Sequence, residues 1–205
     1  MPARPKQPYH HGNLRRSMLE AALRLITEQG VAALTLREVA RRVGVSHAAP
    51  YRHFRDREAL VAAVAEEGFR GMLAALQAAL AKASRSRADP LGALGVAYVE
   101  YALAHPAELR VMFAVELADR TRHPSLAAIS SVMHGVLVQR IVEAQAEGKV
   151  VPGDARKLAF AAWSMVHGCA MLLLDGQMPD ADPRELARAV THYLEQGFAV
   201  LKGRR

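Results

Sequence analysis

The feature that most constrains this 205-residue chain is its division into apolar segments of helical spacing, separated by glycine and proline breaks. Within each segment the apolar residues recur three or four positions apart, as on one face of an amphipathic helix. No stretch alternates apolar and polar residues as a half-buried strand does. The spacing predicts an all-α fold of about nine helices, over residues 13–30, 35–43, 46–53, 56–84, 90–105, 106–118, 124–148, 154–175 and 183–202.

Capping signals mark the ends of several of these helices. Thr35 and Glu38 form a T-x-x-E capping box that starts the second helix. Gly44 breaks that helix, and Gly30 suits the C-terminal cap of the first. Three further helix starts are predicted from side chains that can accept an N-terminal hydrogen bond, namely Asn13, Ser46 and Asp56.

The net charge of +7 is concentrated in the first third of the chain. Residues 1–60 hold 11 Lys and Arg against 5 Asp and Glu, whereas residues 61–205 hold 16 against 15. Residues 1–12 contain three prolines and little apolar content, and we predict that they form a flexible basic arm. The asymmetry favours an anionic partner, with nucleic acid the leading candidate, although a solvated basic surface would have the same composition.

Other features narrow the class of protein. A single cysteine, Cys169, excludes an internal disulfide framework. The polar N-terminus predicts no secretory signal, and the longest apolar run, 158–174, is shorter than the ~20 residues of a membrane span. We therefore expect a cytoplasmic protein with no membrane partner.

Residues 35–54, TLREVARRVGVSHAAPYRHF, have the pattern of a helix-turn-helix. Gly44 can adopt a turn conformation that most residues resist. The third predicted helix is rich in polar residues, which suits a DNA groove lined with phosphates better than a protein core. The two short helices are held together by apolar side chains, predicted to be Leu36, Val39, Ala40, Val43 and Val45.

Individual side chains of this segment suit different parts of a DNA duplex. Tyr51 and Arg57 can reach phosphates, and His47 can reach a base edge. The small side chains of Ala48 and Ala49 permit close approach and can touch a thymine methyl group.

The segment from Tyr9 to Leu60 resembles the TetR family of regulators, which implies a dimeric DNA-binding regulator, usually a repressor, that binds a palindromic operator. The matching elements are L-T-L-R-E-V-A at 34–40, G-V-S at 44–46, Tyr51, H-F at 53–54 and D-R-E-A-L at 56–60. The resemblance places Thr35, Leu36 and Arg37 near the backbone or groove edge, His47, Ala48 and Ala49 at bases, and Tyr51, His53 and Arg57 at phosphates. We add Ser46 and Arg52 to the predicted DNA-binding residues.

Pro50 departs from the family pattern, which more often has an apolar, non-proline residue at this position. With Ser46 as the cap, Pro50 removes only the first intrahelical hydrogen bond, so we expect a short third helix to form.

The resemblance also divides the chain. We predict an arm at 1–12, a helix-turn-helix domain at 13–58 and a helical regulatory and dimerisation domain at 59–205. Within the last, W-S-M-V-H-G at 163–168 is similar to the Trp-His-Gly signature of one C-terminal subgroup, which does not name a ligand.

The C-terminal helices carry methionine, aromatic and histidine side chains near their middles. Facing helices with such residues predict a mostly apolar pocket for a lipophilic or amphipathic effector. Core packing is the alternative for each side chain, and each histidine can instead bond to a carbonyl or a tyrosine. Charged residues are sparse, so a highly charged ligand such as a nucleotide is not expected. The predicted lining residues are Tyr98, Tyr101, Met112, Phe113, Met133, His134, Trp163 and His167.

Helix 154–175 is apolar nearly all round, so it must be buried on several sides. We predict that it pairs with helix 183–202 and with the same two helices of a second chain to form a homodimer. The alternative is that both helices complete a monomeric core.

Two other functions stay open at this stage. A regulator that binds DNA without a ligand would have a filled core, whereas a sensor would contain a cavity. An enzyme with a site in the C-terminal domain is less favoured, because the chain has no G-x-S-x-G, P-loop, H-E-x-x-H or C-x-x-C motif. We predict no cofactor and no metal, since adjacent histidines such as His10 and His11 in a proline-rich arm seldom form a site.

Overall fold

The computed structural model describes residues 11–198, and in that range the chain has eight α-helices, four 3₁₀ turns and no strand. The all-α prediction is thereby confirmed, while His10, most of the predicted arm and residues 199–205 lie outside the described residues. The α-helices are α1 (His11–Gln29), α2 (Leu36–Val43), α3 (Arg57–Ser86), α4 (Pro90–Ala104), α5 (Pro106–Met112), α6 (Pro124–Ala146), α7 (Ala155–Leu174) and α8 (Pro183–Phe198). The 3₁₀ turns span Val31–Ala33, Pro50–Arg52, Val115–Leu117 and Arg120–Arg122.

Thr35, Gly44 and Asp56 cap their helices as the sequence predicts, whereas Asn13, the predicted cap of the first helix, lies inside α1. The Thr35 hydroxyl accepts a hydrogen bond from the Glu38 amide at 3.1 Å, and the Asp56 carboxylate accepts one from the Ala59 amide at 2.7 Å. Gly44 adopts a left-handed conformation with φ of 76°, which ends α2. These contacts define where α2 begins and ends and where α3 begins.

The prediction of a third α-helix over 46–53 is wrong. Residues 47–49 form a turn that continues into the 3₁₀ turn Pro50–Arg52. Pro50 has no amide hydrogen to donate to the carbonyl of Ser46, so the backbone closes shorter rings instead. Ala49 donates to Ser46 at 3.0 Å and His53 donates to Pro50 at 2.9 Å, both with the i to i−3 spacing of a 3₁₀ helix.

The predicted helix over 106–118 is also wrong in its second half, because α5 ends at Met112. Residues 113–123, called the bridging segment below, leave the helical path and form two 3₁₀ turns. This path brings both Phe113 and Leu117 inward. Phe113 packs edge-on against Phe69 of α3 with ring centroids 5.7 Å apart, and Leu117 is fully buried. Burial of these two side chains offsets the helical hydrogen bonds that are lost.

One hydrophobic core runs from the N-terminal helices into the C-terminal bundle. Met18 and Leu25 of α1, Leu60 and Phe69 of α3 and Met112 of α5 belong to the same cluster of buried residues. In the bundle, α4 lies between α3 on one side and the pair of α7 and α8 on the other. The head, residues 13–58, is therefore packed directly on the bundle.

Two helices have more exposed apolar surface than the bundle can cover. By length and composition alone, α6 and α7 are apolar enough to cross a membrane, a criterion that core helices of soluble proteins also satisfy. Within the single chain, only 17% of the apolar 18-residue stretch of α6 is buried, and only 28% of the corresponding stretch of α7. Most of the apolar surface of α6 and α7 is therefore exposed in the single chain.

Candidate DNA-binding surface and effector cavity

The turn that replaces the third helix presents polar side chains to solvent. Pro50 is buried and Phe54 is 3% exposed, so one side of the turn is anchored in the core. Tyr51 on the other side is 61% exposed. The predicted DNA-binding residues with exposed side chains are Thr35, Arg37, Ser46, His47, Ala48, Tyr51 and Arg52.

Two predicted DNA-binding side chains point elsewhere. Leu36 is 5% exposed and packs in the core, which leaves only its backbone near the surface. Arg57 donates to the carbonyl oxygens of Leu34 at 2.8 Å and Val31 at 2.7 Å, and its third nitrogen pairs with Glu116. Arg57 therefore holds the head to the bundle and is not free to bind a phosphate. Ala49 and His53, the remaining predicted contacts, are half-buried.

The arginines of the head divide into paired and unpaired groups. Arg41 and Arg42 both pair with Glu38, and these bonds lower the pKa of Glu38 to about 2. Arg37 and Arg52, in contrast, form no ion pair with any carboxylate in the described part of the chain. These two exposed guanidinium groups are available to phosphates, which arginine binds with paired hydrogen bonds.

A cavity of about 510 Å³ lies between α3, α4, α6, α7, α8 and the bridging segment. This volume falls within the range of small-molecule sites. Its walls are mainly apolar, including Leu94, Leu137 and Val166. Five of the predicted ligand-binding residues line it, namely Tyr98, Phe113, Met133, His134 and Trp163.

A hydrogen-bonded group forms one wall of the cavity. The indole nitrogen of Trp163 lies 3.4 Å from the hydroxyl oxygen of Tyr98, and that hydroxyl lies 2.8 Å from Nδ1 of His167. Indole nitrogen can only donate, so the Tyr98 hydroxyl accepts from Trp163, while the direction of its hydrogen bond with His167 depends on the imidazole tautomer. Burial lowers the pKa of His167 and raises that of Tyr98 to about 12, so both groups are neutral. His167 therefore bonds to a tyrosine and supports the wall from behind.

Two other predicted ligand-binding residues do not line the cavity. The hydroxyl of Tyr101 lies 2.5 Å from the Glu108 carboxylate, and its atoms occupy the space beside Gly71 of α3. Met112 is fully buried against Gly68 of α3. Both side chains fill the interface between α3 and the helices beside it, so their role is packing.

Family comparisons agree with this arrangement of a helix-turn-helix followed by a helical domain. Residues 18–64 match the family described as bacterial regulatory proteins, tetR family. Residues 91–195, half of the chain, match the family described as tetracyclin repressor-like, C-terminal domain. The chain belongs to the TetR family of bacterial regulatory proteins. Its head is a DNA-binding domain, and the Trp-His-Gly subgroup suggested by residues 163–168 stays a prediction.

Individual TetR family relatives show how far the similarity extends. A protein with unknown function from Rhodococcus sp. RHA1 is 39% identical, with a TM-score of 0.82 over 95% of this chain and 100% of that one. A tetR family regulatory protein from Rhodococcus RHA1 has the same fold at 22% identity, with a TM-score of 0.73 over 92% and 98% of the two chains. The tetracycline repressor protein class A from transposon 1721 of Escherichia coli is 48% identical over 50 residues. That stretch is 24% of this chain and 23% of the repressor.

Sequence reasoning missed Arg120 of this TetR family protein. Arg120 lines the cavity, and its guanidinium lies 5.5 Å from the ring centroid of Phe69. Its Nη2 donates to the carbonyl of Met112 at 2.7 Å, whereas its Nη1 is buried and has no hydrogen-bond partner within residues 11–198. No apolar periodicity surrounds Arg120, so only the path of the bridging segment reveals its position.

The bridging segment also contacts the head of the regulator. Glu116 pairs with Arg57, as described above. At the other end of the segment, Arg122 and His123 lie 3.0 Å and 2.8 Å from the same oxygen of Glu58. Glu58 stands in the first turn of α3, so one segment connects the cavity wall to the base of the head.

Two acidic residues were also missed, at the end of the cavity farthest from the head. Asp89 caps α4 by accepting a hydrogen bond from the Gly92 amide at 2.6 Å, and Glu195 of α8 bonds to Asp89. Burial, together with the charge of Asp89, raises the pKa of Glu195 to about 7. The two side chains therefore share a proton at pH values below 7.

This shared proton predicts a pH-dependent stability. The folded protein keeps a proton on Glu195 that the unfolded chain releases above pH 4.5, the ordinary pKa of the group. The free energy of unfolding should therefore fall as the pH rises from about 4.5 to about 7. We expect Glu195→Gln to remove much of this fall and to raise the free energy of unfolding at pH 7.5 by about 1 kcal/mol, a value discounted for solvent screening.

Urea unfolding at pH 5 and pH 7.5 measures this effect. Glu185→Gln, on the exposed side of α8, is the matched control and should leave the pH profile unchanged. Equal pH profiles for Glu195→Gln and the wild type would contradict the assignment.

Proposed function

We propose that this TetR family protein is a cytoplasmic repressor that binds a palindromic operator as a homodimer and is released by a small, mostly apolar effector. The observation that carries the proposal is the apolar cavity of about 510 Å³, which shares one hydrophobic core with the head. A solidly packed core would have favoured a regulator without a ligand.

The proposed DNA contacts follow from exposure and charge. His47 and Ala48, both exposed on the turn after α2, face the bases, and Tyr51 contacts a phosphate through its hydroxyl. Arg37 and Arg52 bind phosphates because no carboxylate in the described residues neutralises them. The remaining proposed contacts are Thr35, Ser46 and the backbone of Leu36 near the groove edge, with Ala49 and His53 at the margin of the surface.

The proposed dimer covers the exposed face of α7. With ~100° per residue, the exposed residues from Phe160 to Leu172 fall in an arc of about 140°, in which no charged side chain occurs between those two residues. Phe160 is 61%, Met165 42% and Leu172 51% exposed. On α8, Tyr193 is 70% exposed. Pairing of α7 and α8 with their copies removes this apolar surface from water and gives the two-fold symmetry of a palindrome.

The effector acts by changing the spacing of the two heads. Such a change occurs only if the effector binds one arrangement of the dimer better than the other. Helix α3 is proposed to transmit the effect of the ligand to the head, because its first turns pack in the head while Phe69 and Leu76 line the cavity.

An operator can be obtained by selecting duplexes from a random pool, and the effector by a thermal-shift screen of hydrophobic compounds. Filling the cavity then tests the proposed function. Ala162 is 6% exposed and lines the cavity, so Ala162→Phe should keep the affinity for the operator and lower the release by screening hits at least tenfold.

The control for this test is Ala74→Phe, the same substitution on the exposed side of α3, which should respond like the wild type. Release of Ala162→Phe at the same compound concentration as the wild type would contradict an effector site in the cavity. A protein that selects no duplex over random competitor would contradict the regulator as a whole.

A further inference from the structure

We propose that the cavity binds an apolar acid, whose carboxylate is held by the guanidinium of Arg120 while its hydrocarbon part fills the space between α4, α6 and α7. The inference rests on the proposed effector function of the cavity and names the chemical class of the effector.

The first argument is the state of Arg120 itself. Among the described residues, its buried Nη1 has no hydrogen-bond partner and no carboxylate forms an ion pair with the guanidinium. A buried donor without a partner, on a group that stays charged, is costly. A carboxylate supplies two acceptor oxygens and one negative charge, which match the paired donors of a guanidinium. Arg120 lines the cavity, so a rotation of its side chain would bring this enclosed donor to the carboxylate of a ligand.

The second argument is the distribution of charge along the cavity. Arg120 lies beside Phe69 of α3. Two residues further along α3, Gly71 contacts Tyr101, which stands near the C-terminal end of α4. Asp89 precedes α4, twelve residues before Tyr101, which corresponds to about 18 Å along the helix. The acidic pair of Asp89 and Glu195 therefore stands far from Arg120, where it repels a second anion. Lys149, which also lines that end, is paired with Glu147. An acid is thus oriented with its carboxylate toward the head.

The third argument is size. If each water-sized group takes about 30 Å³, a cavity of 510 Å³ holds roughly 17 such groups. The walls beyond Arg120 present Leu94, Met133 and Val136. The cavity therefore has room for an acid with one carboxylate and up to about a dozen carbon atoms.

The position of Arg120 also explains how such a ligand acts on the head. Arg122 and His123, two and three residues further along, contact Glu58 in the first turn of α3. Glu116, four residues before, holds Arg57. A ligand carboxylate that shifts Arg120 therefore also shifts the bridging segment, whose contacts with Arg57 and Glu58 hold the base of the head.

Calorimetric titration with decanoic acid and methyl decanoate, each below its solubility limit, tests the inference directly. The two probes share a chain and differ in charge. We expect the acid to bind the wild type about 10- to 100-fold more tightly than the ester, as hydrogen bonds between charged groups imply. Arg120→Met keeps an apolar contact with Phe69 and should reduce this ratio to about one, with the affinity for the ester changed less than about threefold.

Arg110→Met, on an exposed arginine of α5 outside the cavity, is the control and should keep the wild-type ratio. Equal affinity of the wild type for acid and ester, or an undiminished preference in Arg120→Met, would overturn the inference. So would failure of saturated acids from hexanoic to tetradecanoic to bind at all.

Operator binding by the same preparations separates this inference from the proposed function. Release of the operator by neutral compounds, together with equal affinity of the wild type for acid and ester, would overturn the carboxylate site and leave the effector function standing. Acid binding that depends on Arg120 but never releases the operator would support the site and contradict the effector function.

Discussion

Replacing Arg37 and Arg52 together with alanine is expected to lower the affinity for a selected operator by about 100-fold at moderate salt. Both guanidinium groups are exposed and unpaired in the described chain, and each such solvent-screened contact with a phosphate contributes roughly 0.7 kcal/mol. A dimer loses four such contacts. The slope of log K against log salt concentration should therefore become shallower by about 3 to 4.

Fluorescence anisotropy with a labelled duplex at several salt concentrations measures both effects. The control is the pair Arg85→Ala and Arg188→Ala, which removes the same charge from exposed positions on α3 and α8, away from the head. If the control weakens binding as much as the head variant, the effect comes from net charge and the proposed contacts are wrong. A single His47→Ala variant should instead change which sequence is preferred, because His47 is proposed to face a base edge.

Placing aspartate at both Phe160 and Leu172 is expected to convert the proposed dimer into a monomer. Both side chains are more than half exposed in one chain, so the substitutions cost the isolated chain little, whereas two charges at the centre of a paired interface have no partner. The dissociation constant should rise by more than 100-fold. Operator affinity should fall with it, since a single head reads only half of a palindrome.

Sedimentation at micromolar concentration distinguishes the two states, because one chain has a mass of 22.3 kDa and a dimer has twice that. Val132→Asp, at a similarly exposed apolar position on α6, is the control and should leave the mass unchanged. A wild-type protein that sediments at 22.3 kDa would contradict the proposed interface.

Local signals predicted most of the fold, because a helix end depends on a few neighbouring atoms. The hydrogen bond from Glu38 to Thr35 and the left-handed Gly44 involve residues at most five apart, so the sequence displays them directly. Pro50 shows the limit of this reasoning. Its missing amide is evident from the sequence, but the prediction that a short α-helix forms is wrong, since the few residues on each side cannot stabilise one.

The candidate sites were less predictable, because they depend on which face of a helix meets which neighbour. Tyr98 and Tyr101 are three positions apart on α4, yet the first lines the cavity and the second packs against α3. Arg57 matches a family position but is held by carbonyl groups of the head and by Glu116, a residue 59 positions away. Arg120 gave no signal at all, since an isolated arginine in a polar stretch is usually solvated.

The unbroken core between head and bundle has a consequence for engineering this regulator. A domain boundary drawn at residue 58 would cut through a set of buried side chains that includes Leu25, Leu60 and Phe69. A head transplanted without α3 would expose this apolar surface, and a foreign head would have to match it. Hybrid regulators built on this scaffold therefore need to keep the part of α3 that packs on the head, together with Glu116, the partner of Arg57.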